Sequence, residues 1–391
     1  MLGSISSSFH KHSINYLLGS LLLLLPFTKS SIEVLTTILC LLTLWAWSQS
    51  ASAPISPQKT DIGILLFLLW GSIISVSQPE WMDLKLRGFL KWAQLFVLYL
   101  IMRQYGLREK GLFSLGGIVF ASTLAVNADA LYQLIHGLDW IKNRPIDLPG
   151  RMLRITGPFQ SPNDLGIFYL FSLPLIFGFW YRERVWNIKS IGWALLLIWT
   201  ALFWILTFSR GAFLALFFSV NIVLIMRRQW HGIALLLSTF TALVFLSPTF
   251  ATNFLTSLQW QNITIQDRFV RWQETWTLIQ PQLWTGTGWN TYHEVVTTSP
   301  IPLSTTAYAH NCYLQLWLET GLIGLLLFMT ILISLFWNFW KNQKTTSLLS
   351  TCLFIGCLAF TLQATLDTNF YSPQTATLFF LYAALLQPPK N

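Results

Sequence analysis

Residues 308–339 read YAHNCYLQLWLETGLIGLLLFMTILISLFWNF. His310 and Asn311 stand in front of an apolar run that contains one acidic residue, Glu319. A helix needs about 20 predominantly apolar residues to cross the hydrocarbon core of a bilayer, and this run is longer than that. The stretch therefore predicts a transmembrane helix with an ionisable ring at its N-terminal end.

Apolar stretches of this kind recur along the whole chain. Of its 391 residues 54% are hydrophobic and 10% are charged, whereas about 25% of residues are charged in an average soluble protein. We therefore predict an all-α, polytopic membrane protein in which residues 1–391 form a single membrane domain. About twelve transmembrane helices are predicted, at residues 14–28, 32–48, 61–77, 86–102, 112–136, 163–180, 190–207, 210–226, 232–248, 310–339, 346–367 and 373–387.

The loops that an even number of spans places on one face are rich in basic residues. They include Arg103, Arg182, Arg227 and Lys341 with their basic neighbours. By the positive-inside rule this face is cytoplasmic, and both termini lie there. Topology then accounts for the net charge of +9 without nucleic acid, whose recognition requires a basic stripe on a soluble surface.

Cysteine usage predicts neither a disulfide framework nor a zinc site. Cys40, Cys312, Cys352 and Cys357 lie in or at the edge of apolar segments, and no CxxC spacing occurs. We expect these side chains to belong to the core.

The large extracytoplasmic loop at residues 248–309 contains QDRFVRWQETWTLIQPQLWTGTGWNTY at 266–292. Large apolar side chains recur there at three- and four-residue steps, at Phe269, Trp272, Trp276 and Ile279. This spacing predicts an amphipathic helix that ends at Pro281 and lies on the bilayer surface or caps the bundle. Arg268 and Arg271 are three residues apart and point roughly the same way, toward lipid phosphates or toward an anionic ligand.

Two further elements on the same predicted face carry ionisable side chains. Arg210, in TFSRGAF at 207–213, lies at a junction of two spans, where an arginine is costly unless it reaches water, a partner or an anion. It is either a snorkelling side chain or an anion anchor. His310 either bonds a loop carbonyl or accepts a proton near neutral pH as a general base.

A third outer segment, RMLRITGPFQSPNDLG at 151–166, joins the fifth and sixth predicted spans. Ser161 or Asn163 is predicted to cap the following helix. Arg151 and Arg154 add positive charge to the face that Arg210 already occupies.

Taken in order, RITGPFQSPNDLG, TFSRGAF, RFVRW with PQLWTGTGW, and AHNCYLQLWLETGLIG resemble motifs of the O-antigen ligase and O-antigen polymerase superfamily, bacterial membrane glycosyltransferases. The resemblance covers residues 154–324. It implies a GT-C-like, inverting enzyme of the bacterial inner membrane. Such an enzyme moves a glycan from a polyprenyl diphosphate carrier to a hydroxyl of a glycan, lipid or protein acceptor, on the extracytoplasmic face and without metal or other cofactor.

By matching motifs, the resemblance implies that Arg210, Arg268 and His310 are catalytic. Two arginines can stabilise a departing diphosphate through charge-assisted hydrogen bonds, and a histidine can take the acceptor proton. Substrate-binding residues are predicted to be Arg154, Arg271, Arg151 and Asn311.

Two questions stay open at the level of the sequence. The motifs do not separate a ligase from a polymerase, because both share them. A different class, a multi-span transporter of a small anion such as bicarbonate, would be expected to show paired broken helices near the membrane midplane.

Overall fold

The computed structural model describes residues 2–48, 58–107, 114–146, 154–183, 187–234, 237–238, 263–301, 303, 308–343 and 345–387. Within these ranges the regular secondary structure is helical, apart from isolated β-bridge residues such as the pair Leu138 and Pro145. The numbered helices are α1 Leu2–Leu24, α2 Ser30–Ser48, α3 Lys59–Ser77, α4 Met82–Tyr105, α5 Leu115–His136, α6 Pro162–Arg182, α7 Ile188–Leu206, α8 Arg210–Met226, α9 Ile263–Ile279, α10 Tyr292–Thr297, α11 Cys312–Asn342, α12 Leu348–Gln363 and α13 Pro373–Leu385.

The predicted all-α class is confirmed, but the count of twelve spans is not. Six helices are long and apolar enough to cross a membrane: α2, α3, α5, α6, α7 and α11. Shorter apolar helices lie at His12–Leu24, Arg210–Met226 and Leu348–Gln363. Most of the ninth predicted span, 232–248, lies outside the described residues.

Side-chain caps fix where the helices around the functional residues begin. Ser161 caps α6 through its Oγ, which accepts a hydrogen bond from the Asp164 N–H at 3.1 Å. Asn311 caps α11 through its Oδ1, which accepts from the N–H groups of Tyr313 and Leu314. Such caps satisfy amide groups that have no partner within the helix.

The packing leaves one helix largely buried and others with large apolar surfaces. Most of α6 is buried, and it packs against α7, α8 and α12. In contrast, α2, α3 and α7 expose large apolar side chains such as Leu41, Leu65 and Leu195. An apolar surface of this extent is typical of helices that face lipid. The chain is therefore a membrane protein.

The run at 310–339, predicted as one uninterrupted helix, is broken. Gly321 has φ 68° and ψ 177°, so α11 consists of two helical halves. The loop that precedes α10 fills the break: the Gly288 N–H donates to the Glu319 carbonyl at 2.7 Å, and the Leu322 N–H donates to the Leu283 carbonyl at 2.9 Å. The prediction failed because hydropathy does not detect backbone that another segment satisfies.

The amphipathic helix predicted in the outer loop exists as α9. Ile279 is buried, whereas Phe269 and Trp276 are 38% and 41% exposed. The inward face also carries Thr275, which is buried and hydrogen-bonds the Tyr292 hydroxyl at 3.0 Å. Thr275 and Ile279 thus share the inward face, whereas Phe269 and Trp276 are turned partly away from the protein.

Candidate active site

His310 and Asp367 form a pair at one end of the helices. His310 directly precedes the cap of α11 and has a φ of 49°, a conformation that non-glycine residues rarely adopt. Its Nδ1 lies 3.4 Å from Oδ1 of Asp367, and the two side chains are 36% and 13% exposed. A carboxylate only accepts hydrogen bonds, so this contact places the proton on Nδ1 and leaves Nε2 as the acceptor.

Asp367 lies on the connector between α12 and α13, where backbone contacts hold it beside α11. Its carbonyl accepts from the Cys312 N–H at 3.2 Å, and its Oδ1 accepts from the Thr368 N–H at 2.9 Å. Burial by itself would raise the pKa of Asp367. The hydrogen bond from His310 and the positive charge of Arg268 outweigh burial, and the pKa lies below its ordinary value. Asp367 is thus an anion facing His310.

Asn163 links this pair to two of the sequence motifs. Its Nδ2 donates to Oδ2 of Asp367 at 2.7 Å, while its Oδ1 accepts from Nη2 of Arg154 at 3.1 Å and from Oγ of Ser209 at 3.2 Å. Arg154 is held further by its Nε, which donates to the Thr207 carbonyl at 3.0 Å. The segment at 151–166 and the 207–213 junction therefore meet at Asn163, which hydrogen-bonds the carboxylate that faces His310.

The predicted arginines gather around the same point. Arg268, on α9, is close enough to Asp367 for their opposite charges to interact. Burial lowers the pKa of Arg268, Asp367 opposes this effect, and the like charge of Arg271 adds to the lowering. Arg210, the exposed first residue of α8, lies within range of repulsion from Arg268. Positive charges this close together repel one another, and a bound anionic ligand would offset the repulsion.

The other two predicted binding residues are Asn311, next to His310, and Arg151. Oδ1 of Asn311 caps α11, so this atom has a structural role. Arg151 lies outside the described residues.

Glu319, further along α11, hydrogen-bonds residues of three segments. It is completely buried, and its Oε2 accepts from the Asn290 N–H at 3.0 Å and from the Tyr371 hydroxyl at 3.1 Å. Its Oε1 accepts from Nε2 of Gln315 at 3.3 Å. Glu319 therefore fixes the loop that fills the break in α11 relative to the connector that carries Asp367.

Reasoning from the sequence missed Asp367 and considered Asn163 only as a possible cap. The available signal for Asp367 was an acidic residue at the boundary of the eleventh predicted span, on the face predicted to be extracytoplasmic. Asn163 gave a weaker signal, because an asparagine next to a Ser-Pro pair is explained by capping alone. Among the described residues, no group of three or more His, Cys, Asp and Glu side chains is arranged to hold a metal ion.

The fold and the site together define a helical membrane protein with a cluster of arginines and a His–Asp pair at one end of its helices. Residues 193–329 match the family model described as O-antigen ligase. This range contains Arg210, Arg268 and His310, and the resemblance inferred from the motifs is confirmed. The match indicates a membrane protein of the ligase or polymerase type that transfers glycans. No curated protein sequence matches the chain significantly.

Proposed function

We propose that the protein transfers a glycan from a polyprenyl diphosphate carrier to an acceptor hydroxyl, with inversion and without a metal ion. A single arrangement carries the proposal: the His310–Asp367 contact of 3.4 Å lies beside the cluster of Arg154, Arg210 and Arg268, linked to it through Asn163.

In the proposed reaction, the arginines bind the donor's diphosphate at the cationic cluster. As the bond between the anomeric carbon and the phosphate oxygen breaks, negative charge grows on that oxygen. Guanidinium groups already in place can stabilise this charge in a partly buried site. Arg210 and Arg268 are assigned to the diphosphate, while Arg154 and Arg271 contact it from the rim or hold the neighbouring groups.

His310 acts as the general base. Its Nε2 takes the proton of the acceptor hydroxyl while the acceptor oxygen bonds to the anomeric carbon, and the carrier diphosphate leaves. Asp367 orients the ring through Nδ1 and stabilises the imidazolium that forms. One displacement at carbon gives inversion, and the proton and the leaving group are both accounted for.

The transporter alternative gains one observation, since α11 is interrupted at Gly321. However, the loop containing Gly288 satisfies backbone groups at this interruption, as does the Trp70 indole, which donates to the Thr320 carbonyl at 2.8 Å. Carbonyl groups at the break that already accept hydrogen bonds from the protein do not face a path in which they could coordinate an ion. The structure thus favours the transferase.

The test is a reaction with purified protein. A defined polyprenyl-diphosphate oligosaccharide is incubated with the purified protein and with lipid, protein or glycan acceptors. The masses of the products are measured by mass spectrometry. We expect glycan transfer with an inverted anomeric configuration; one added unit on a lipid or protein indicates a ligase, and growing chains indicate a polymerase. Uptake of an anion into vesicles without glycan transfer would overturn the proposal.

A further inference from the structure

Asn163 is the second residue of α6, but it does not cap that helix. The cap is Ser161, so the start of α6 does not depend on the Asn163 side chain. The Asn163 amide instead forms hydrogen bonds with Asp367, Arg154 and Ser209. Two of these partners belong to other segments, 204 and 46 positions away in the chain. The tertiary structure therefore gives Asn163 a function that capping does not explain.

The partners of Asn163 fix which way its amide points. A guanidinium group has only donors, so the atom that faces Nη2 of Arg154 at 3.1 Å is the amide oxygen. The Ser209 hydroxyl donates to the same oxygen at 3.2 Å. A carboxylate only accepts, so the amide nitrogen faces Asp367. A flipped amide would set donor against donor at Arg154 and acceptor against acceptor at Asp367.

The Asn163 amide in turn fixes the carboxylate of Asp367. One oxygen, Oδ1, lies 3.4 Å from Nδ1 of His310 and accepts from the Thr368 N–H at 2.9 Å. The other oxygen, Oδ2, accepts from Nδ2 of Asn163 at 2.7 Å. Rotation of the carboxylate about its Cβ–Cγ bond would break these contacts. Asn163 therefore helps to determine which oxygen is presented to the imidazole ring.

The backbone at the start of α8 brings the Ser209 hydroxyl to Asn163. Phe208 has a φ of 49°, a conformation that non-glycine residues rarely adopt, and the Ser209 N–H donates to Oγ1 of Thr207 at 3.2 Å. The two helices touch closely here, because a Cβ at Gly166 would lie 2.8 Å from Cβ of Ser209. Backbone strain of this kind persists only where the surroundings enforce it, and it is frequent at functional sites.

We propose that Asn163 is a positioning residue that acts through Asp367 on the ring of His310, a role that rests on the proposed glycan transfer. Asn163 keeps the carboxylate on Nδ1, so that Nε2 remains the atom that takes the proton of the acceptor hydroxyl. A displacement of about 1 Å at a catalytic group can cost roughly 100-fold in rate. Ser209 and Arg154 hold the amide, which assigns Arg154 to Asn163 and not to the diphosphate.

Two other roles for Asn163 make different predictions. A purely structural link between α6 and the α12–α13 connector would affect stability, and its effect on turnover would not depend on the Asp367 carboxylate. A role in donor binding would raise the KM for the donor. A positioning residue lowers kcat, leaves the donor KM unchanged and loses its effect once the carboxylate is removed.

The variants are Asn163→Ala, which removes the amide, and Ser209→Ala, which removes only the hydroxyl that holds it. Asn127 of α5 provides the matched control, because it is a fully buried asparagine bonded on both sides. Its Nδ2 donates to Oγ1 of Thr200 at 2.9 Å, and its Oδ1 accepts from the Tyr169 hydroxyl at 2.9 Å. Asn127→Ala therefore removes the same amide from between helices and leaves the bonds of Asp367 in place.

The kinetic experiment uses the donor and acceptor that the wild type turns over. We expect Asn163→Ala to lower kcat about 10- to 100-fold and Ser209→Ala about two- to tenfold, both with an unchanged donor KM. Asn127→Ala should keep the wild-type constants. In Asp367→Ala protein, adding Asn163→Ala should lower kcat by less than about twofold. A loss as large as in the wild type, or a raised donor KM, overturns the positioning role.

A measurement without turnover separates this proposal from the proposed function. Nitrogen-15 NMR of labelled histidine is recorded at about pH 8.5, where an ordinary imidazole is neutral, and His310→Ala identifies the His310 signal. We expect the wild type and Asn127→Ala to hold the proton on Nδ1, and Asn163→Ala to show a mixture of both tautomers. An unchanged signal in Asn163→Ala overturns the positioning role. An absence of transfer by the wild type contradicts the proposed function instead.

Discussion

Nδ1 of His310 lies 3.4 Å from Oδ1 of Asp367, although the two residues are 57 positions apart in the chain. Asp367 in turn accepts a hydrogen bond from Asn163, 204 positions away. The starts of two helices, α6 and α11, therefore meet at one carboxylate of the α12–α13 connector. This relationship provides a direct test of the proposed chemistry.

Replacing His310 should reduce glycan transfer more than replacing Asp367. His310→Ala removes the proposed base and should lower turnover by about 10²- to 10⁴-fold. Asp367→Asn keeps the shape but loses a charged hydrogen bond, worth about 1.5–3 kcal/mol or roughly 10- to 100-fold in rate. Single-turnover assays measure both. Full activity in purified, folded His310→Ala protein would exclude the histidine as base.

The His310–Asp367 pair should also make the stability of the folded protein depend on pH. The folded-state pKa of Asp367 lies below its ordinary value of about 3.9. Its contribution is therefore complete above about pH 4 and is lost as the pH falls through the lower folded value. Melting temperatures of wild type and Asp367→Asn, followed by fluorescence from pH 3 to 7, should converge at the acid end. A difference that widens on acidification would contradict this sign.

Arg268 should resist conservative replacement. Lysine keeps the charge but not the planar fork that binds two phosphate oxygens at once, so Arg268→Lys should cost about tenfold or more in kcat/KM for the donor. Arg87→Lys, on the exposed face of α4, is the matched control and should behave as wild type. Equal activity of both variants would show that Arg268 acts only as a point charge or not at all.

Chelation should leave transfer intact, since in the proposed reaction arginines take the place of a metal ion at the diphosphate. Activity is measured before and after EDTA treatment, and again after addition of Mg²⁺. Loss of transfer with EDTA and its return with Mg²⁺ would refute the metal-free route.

Gly321 should be irreplaceable for a steric reason. Its φ is 68°, and a Cβ there would lie 2.1 Å from the Trp284 carbonyl oxygen, which is fixed backbone. Gly321→Ala should therefore displace the loop that fills α11 and lower the melting temperature strongly. Gly137 has a similar φ of 77° but no atom within 4 Å of its would-be Cβ. Gly137→Ala should cost only the strain of the left-handed conformation, roughly 1–2 kcal/mol.

Much of the architecture followed from local sequence patterns. The apolar runs located the helices, and the spacing of polar side chains indicated that Ser161 or Asn163 would begin α6. His310, Arg210 and Arg268 were singled out because ionisable groups are costly at membrane edges and because their motifs resemble a known family. These inferences depend on composition and on neighbours within one or two helical turns.

Other features depended on packing between distant segments. The break at Gly321 has no hydropathic signature, since it is stable only because the Leu283 and Gly288 backbone occupies it. Likewise α9 turns Arg268 and Thr275 inward because their partners lie there, a preference that its apolar stripe alone does not contain.

The sequence by itself determined that this chain is a helical membrane protein, and it predicted which arginines and which histidine form the candidate site. Hydrophobic length and motif order are local properties of the sequence. Only the tertiary structure decided that Asp367 faces His310 and that Asn163 connects Asp367 to Arg154. The physical reason is that hydrogen bonds between residues far apart in the chain form only after the helices have packed.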